Sequence, residues 1–188
     1  MNEEQLKLRL ETEFKKQEQF FGMGKFYQSF PRLGIDGMRP TDERIERYQI
    51  QKFVKKSDSV LDLGCNCGFF DLTVAEHVSS VTGIEYNEAL VEIGNIAKEA
   101  LKADNVNFIA SDYESWKKKN KKKFDVVFSF AVHYWFKVRP YQYARDLSKM
   151  LNTGGTLFFE SQDIKGDKDY PRFVDEFKCR GFKEISRG

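Results

Sequence analysis

The sequence predicts a doubly wound α/β fold: a mostly parallel sheet wrapped by helices, preceded by an N-terminal helical extension. Three observations carry this. From Ser57 onward, short β-rich runs alternate with amphipathic helical patterns of about 10 to 16 residues, and parallel strands need crossover helices of that kind. Pro140 and Pro171 fall where a first helical turn accepts them, while Gly154-Gly155 and Gly181 fall at helix stops. The 188 residues, 40% hydrophobic and 15% aromatic, make one well-cored domain and do not comfortably make two.

Residues 3 to 21 place Leu6, Leu10 and Phe14 at four-residue spacing among Glu, Lys and Gln, an amphipathic helix with one narrow apolar stripe. Between Gly22 and Pro40 that pattern breaks into an ordered aromatic loop, Phe26-Tyr27-Gln28-Ser29-Phe30. Thr41 then caps a second helix to about Val54, with Asp42 and Glu43 in its first turn. The expected strands are Ser59 to Leu63, Val81 to Glu85, Val106 to Ala110, Phe124 to Phe130, Thr156 to Ser161 and Phe182 to Ser186. Helices are expected at about Phe69 to Val78, Glu88 to Ala103, Pro140 to Leu151 and Pro171 to Cys179. The division is therefore an extension or lid over 1–56 and an α/β domain over 57–188.

Composition excludes several classes. Mean hydropathy is −0.59, and no apolar run approaches the roughly 18 residues that cross a bilayer, so a soluble chain is expected. The polar, acidic start Met1-Asn2-Glu3-Glu4-Gln5 is unlike a secretory signal, which makes the cytoplasm the expected location. Cys65, Cys67 and Cys179 form neither an even disulfide set nor a zinc pattern, so no metal is expected. Net charge is +2, yet six lysines cluster at Lys117 to Lys119 and Lys121 to Lys123, and without them 25 basic residues face 29 acidic ones. That block reads as a solvated loop, and a nucleic-acid partner is possible but not favoured.

The chemistry concentrates in Val60-Leu61-Asp62-Leu63-Gly64-Cys65-Asn66-Cys67-Gly68-Phe69-Phe70, an apolar strand ending in an acid, then a glycine turn, then a helix. In an open α/β sheet such a strand end borders the ligand crevice. A dinucleotide fingerprint is disfavoured, because Asn66 and Phe69 stand where its second and third glycines belong. Asp62 taken alone also suits capping of the turn, and Cys65 and Cys67 suit packing better than nucleophilic work.

The Asp62-x-Gly64-x-Asn66-x-Gly68 run resembles motif I of the class I S-adenosylmethionine-dependent methyltransferases, with Asn at the middle glycine. Four further landmarks follow in order: Glu85 ending the second strand, Asp112-Tyr113 after the third, Phe124-Asp125-Val126-Val127-Phe128-Ser129 as the fourth, and a Gly154-Gly155 turn before the fifth. The resemblance implies a Rossmann-like methyltransferase fold with S-adenosylmethionine as cofactor. It implies that the loop from Gly64 to Gly68, through Cys65 and Asn66, passes the methionine and ribose part. Asp62 would direct the ammonium, with the Cys65 carbonyl as a further acceptor. Glu85 would bridge the ribose diol. Asp112 would accept from the adenine amino group, Tyr86 and Tyr113 would cover the ring, and Ser129 would end the fourth strand beside the cofactor. Asp112 also fits a simple Ser-Asp turn.

In that family the fourth strand's carboxyl end faces the sulfonium, which makes His133 the candidate general base; a packed, hydrogen-bonded histidine is the alternative. His77 reads as surface or core. Tyr27, Arg39, Arg44 and Trp135 are the candidate acceptor and lid residues, with Arg39 or Arg44 able to pair bidentately with a carboxylate. Pairing of these arginines with Glu43 and Glu46 is the competing reading. The family's seventh, antiparallel strand has no counterpart after Phe182 to Ser186. The expected activity is methyl transfer to oxygen or nitrogen of a small-molecule acceptor, with RNA (tRNA) methylation or a catalytically silent cofactor-binding module as alternatives.

Overall fold

The computed structural model describes residues 2–21, 24–161 and 166–186. Helix α1 (Glu3–Phe21) leads into two three-residue strands, β1 (Phe26–Gln28) and β2 (Gly37–Arg39), then helices α2 (Thr41–Arg47) and α3 (Ile50–Phe53). The alternating part runs β3 (Ser59–Leu63), α4 (Phe69–Val74), β4 (Ser80–Glu85), α5 (Glu88–Leu101), β5 (Val106–Ala110) and α6 (Tyr113–Lys119). It continues with β6 (Phe124–Phe130), α7 (His133–Phe136), α8 (Pro140–Met150), β7 (Leu151–Glu160) and α9 (Tyr170–Cys179).

Strands β3 to β7 form one parallel sheet in the order β5-β4-β3-β6-β7. The chain winds outward from β3 through β4 and β5, then crosses back to add β6 and β7 on the other side. The crevice at that reversal lies beyond the carboxyl ends of β3 and β6. Successive side chains of β3 serve opposite faces, as strand geometry requires. Val60 joins the core that contains Phe69, Phe70 and Ile93, while Leu61 joins the one that contains Val127, Tyr143 and Leu147.

The N-terminal segment shares the first of these cores. Leu6, Leu10 and Phe14 are all buried, in one cluster with Phe26, Phe30 and Phe69, and α1 packs on α5. Full burial of three such side chains, at about 1.5–3 kcal/mol each, holds the helix firmly to the sheet layer.

Four expectations need correction. The Gly22 to Pro40 loop contains β1 and β2, which pair parallel through Phe26↔Gly37 and Gln28↔Arg39; strands this short show no readable alternation. Pro40, not Thr41, holds the cap position of α2, because the Thr41 hydroxyl donates to the Ser29 carbonyl at 2.6 Å; the helix then stops at Arg47 and restarts at Ile50 after Gln49 (φ 53°). Residues 182–186 form no strand: the Phe182 N–H closes the end of α9 on the Phe177 carbonyl (3.1 Å) and its ring packs on Phe177. Helix α6 went unforeseen, since Ser111-Asp112 reads equally as a turn. By count a seventh strand is present among the described residues: it is β7, parallel and at the sheet edge.

The lysine block is not all loop. Lys117 sits on α6 and donates to Glu114 (2.8 Å) and Asp146 (2.7 Å), while the other five lysines are exposed.

Candidate cofactor and acceptor site

Strand β3 ends beside β4, and their register pairs Asp62 with Gly83. The loop that follows is pinned from three sides. The Gly64 and Cys65 N–H groups both donate to the Ile84 carbonyl (2.8 and 3.0 Å), and Asn66 takes the left-handed conformation (φ 56°) and accepts the Cys67 N–H on its own side chain at 2.9 Å. Gly68 (φ 68°) is required twice over, because a Cβ there would also collide with the Phe108 ring.

The third constraint comes from Gln28 of β1, which sequence reading did not assign to the site. Its side chain is buried, donates to the Cys65 carbonyl (3.1 Å), and accepts the Phe69 and Phe70 N–H groups (2.9 and 3.3 Å). It thereby satisfies two otherwise unpartnered donors at the start of α4, where Gly68 has no side chain to cap with. No local signal marks it, since a three-residue strand is too short for alternation to single out one polar group. The Cys65 carbonyl, expected to accept from a ligand, already accepts from Gln28 and from the Gly68 N–H (2.9 Å).

Glu85 closes β4. Its two carboxylate oxygens accept one backbone N–H each, from Asn87 (3.0 Å) and Asn66 (3.1 Å), which leaves acceptor capacity on both. Burial pushes this carboxyl up, against those two bonds that favour its charge. Asp62 is 3% exposed and raised to about 7, chiefly by burial, with a hydrogen bond from Asp71 and the charge of Arg44 pulling it down and Glu85 pushing it up. Burial also raises both the Cys65 and Cys67 thiols, which are packing groups rather than nucleophiles.

The residues beyond β5 and β6 are placed differently. The Asp112 carboxylate caps α6 by accepting the Ser115 N–H at 2.9 Å, and those bonds hold it below the usual carboxylate range. Tyr113 is buried and stacked on Phe136 at 4.5 Å, so it offers no open face to a ligand ring. Ser129 is wholly buried, bonded to the Tyr143 hydroxyl at 2.8 Å. His133 is 3% exposed, wedged between Phe159 and Phe173, with Nε2 bonded to Asp167 at 2.7 Å. That setting does not suit an open general base, and Nδ1 is buried without a partner among the described residues. Burial raises the Asp167 carboxyl, but bonds from Ser161 and His133 outweigh it and bring it down.

Tyr86, Tyr134 and Trp135 are strongly exposed, the last two edge to face at 5.7 Å on α7. Val132, the residue before α7, abuts Gly64 so closely that a Cβ there would strike it, which sets the start of α7 against this loop. Tyr27 is half-buried and Arg39 exposed. Arg44 is buried over the rings of Phe130, Phe70 and Tyr48 (5.0, 5.3 and 5.7 Å) and donates to Glu160 at 3.0 Å. It thus ties α2 to the end of β7 instead of pairing with Glu43 or Glu46. Burial lowers the Arg44 guanidinium, but Glu160, Tyr48 and Tyr27 together outweigh it, and burial next to Glu160 raises the Tyr48 hydroxyl to about 12. His77 is exposed, in a polar groove of about 650 Å³ with Asp42, Glu46 and Lys52, away from this crevice.

Residues 54–181 match the family model described as a methyltransferase domain. The chain belongs to that family. S-adenosylmethionine is the cofactor of this methyltransferase domain, and the residues present suit it: two carboxyl groups lie at the ends of adjacent strands, Glu85 keeps a free acceptor site on each oxygen, and a loop bounded by two glycines runs between them. An uncharacterized RNA methyltransferase of Mycoplasma mobile is 33% identical over 124 residues, 64% of this chain and 34% of that protein. A ubiquinone biosynthesis O-methyltransferase of Coxiella burnetii is 26% identical over 115 residues, 61% of this chain and 48% of that one. The methyltransferase chain thus spans about a third to a half of these curated relatives. Among solved structures, precorrin 8w decarboxylase of Methanobacterium thermoautotrophicum is 18% identical with a TM-score of 0.61, covering 80% of this chain and 75% of that one. A methyltransferase of Thiobacillus denitrificans in complex with S-adenosylhomocysteine is 24% identical with a TM-score of 0.52, covering 61% and 46%. These two share the fold. No described helix is long and apolar enough to cross a membrane, and no described cluster of His, Cys, Asp and Glu is arranged to hold a metal.

Proposed function

We propose that this domain transfers a methyl group to an oxygen or nitrogen on a planar ring of a small molecule. The observation that carries the reading is the exposed Tyr134–Trp135 pair on α7, whose preceding residue, Val132, abuts Gly64 of the loop assigned here to the cofactor. Two large aromatic side chains left in solvent offer a ring acceptor a flat, adaptable wall. Bound S-adenosylmethionine supplies the methyl carbon on a sulfonium leaving group. Asp62 would hold its ammonium, Glu85 its ribose hydroxyls, and the exposed Tyr86 its adenine ring. With His133 closed off by Asp167 and two phenylalanines, rate comes from holding the acceptor in line rather than from a protein base, and the acceptor's proton passes to water.

RNA is the second reading, favoured by the five exposed lysines of 118–123 and by the printed description of the Mycoplasma mobile relative. The test is transfer of labelled methyl from S-adenosylmethionine to phenols and ring amines on one side and to bulk RNA on the other. Label in ring compounds supports the proposal. Label confined to RNA and lost at high salt replaces it with the second reading.

A further inference from the structure

Asp71, the third residue of α4, is 0% exposed, and neither of its carboxyl oxygens meets an N–H or O–H donor among the described residues unless a proton is shared with another acid. It fills the space left by the missing side chain of Gly83, where a Cβ would come within 2.5 Å of Asp71 Oδ2 and 2.8 Å of Cys65 Sγ. Gly83 is the register partner of Asp62, so the Asp71 carboxyl lies on the same side of the sheet as the Asp62 carboxyl, placed to form a hydrogen bond with it. Such a bond requires a proton on one of them, since a carboxylate only accepts. The charged groups facing the pair are Glu85 from β4 and Arg44 from α2, and the Cys65 thiol packs on Asp71. Arg44 acts on Asp62 and is committed to Glu160, so among the described residues the deeper acid has no cation of its own.

We propose that Asp71 is a positioning residue for the cofactor site: it stays protonated and donates a hydrogen bond to Asp62, which keeps Asp62 an anion aimed at the ammonium of S-adenosylmethionine. This rests on the reading of Asp62 given above. An isolated ionised carboxylate at this depth is too costly, so the proton settles on the deeper partner, and the pair titrates as a unit. Burial, then the neighbouring Asp62, raises Asp71 well above the ordinary range, in keeping with that order. Cofactor affinity falls as pH drops through about 7, where Asp62 itself takes up a proton.

The test is calorimetric binding of S-adenosylhomocysteine to the full chain from about pH 5.5 to 9. Asp71→Asn keeps a donor without the proton and binds like wild type across the range. Asp71→Leu removes the donor; affinity drops by about tenfold at neutral pH, the scale of a lost bond to a charged group, and recovers towards pH 9 as Asp62 ionises unaided. A purely packing role predicts no such recovery. Wild-type affinity for Asp71→Leu at every pH, or a loss that pH does not relieve, overturns the proposal and leaves the cofactor reading standing. Failure of the wild type to bind overturns both. Should Asp71→Leu not fold, carboxyl carbon NMR of the free wild type decides instead: Asp71 stays protonated throughout this range, and an Asp71 that titrates like an exposed acid overturns the idea.

Discussion

The two sides of the crevice obey different rules. On the β3–β4 side, Asp62, Gly64, Asn66, Gly68 and Glu85 converge, and loop, strand and carboxylate bond directly to one another. On the β5–β6 side, each expected ligand residue is engaged elsewhere: Asp112 in a helix cap, Tyr113 on Phe136, Ser129 on Tyr143, His133 on Asp167. A turn that needs positive φ and close approach restricts its residues wherever it occurs, so spacing alone finds it. A lone acid or histidine at a strand end satisfies several roles equally well, and its neighbours choose among them.

That contrast breaks or sharpens under mutation. The largest effect belongs to Gly68→Val, which forces a β-branched residue to φ 68° and into Phe108; a loss of about 3 kcal/mol of stability is expected, with cofactor binding abolished. Thermal unfolding and calorimetry check it, and a stable variant with normal affinity would remove the basis for the loop reading. His133→Ala comes next. Loss of a buried ring and of its bond to Asp167 costs about 2–3 kcal/mol, yet the pH–rate profile of the surviving activity keeps its shape. A vanished acidic limb would restore His133 as a base. Glu85→Ala weakens S-adenosylmethionine binding by about tenfold or more, about 1.4 kcal/mol, because the ribose diol loses a charged acceptor. Smallest is Asp112→Ala, which lowers the melting temperature slightly through α6 and leaves cofactor affinity alone. An affinity loss there without a stability change would bring Asp112 back to adenine and erase the asymmetry.

The N-terminal segment shows the same division. Leu6, Leu10 and Phe14 were legible as one apolar stripe, because helical periodicity is written in single-residue spacing. What the stripe covers was not legible, nor that the segment delivers Gln28 to the start of α4, since a partner 37 to 42 residues away leaves no local trace.

The sequence by itself determined the alternation of parallel strands with most of their crossover helices and the acid–glycine–asparagine–glycine turn, because each follows from periods and backbone dihedrals carried by neighbouring residues. Only the tertiary structure decided which polar groups meet: Gln28 with the loop, Arg44 with Glu160, His133 with Asp167, Asp71 with Asp62. Those pairings come from packing distant segments into a dry interior, where every buried donor and charge must find whatever partner the fold brings to it.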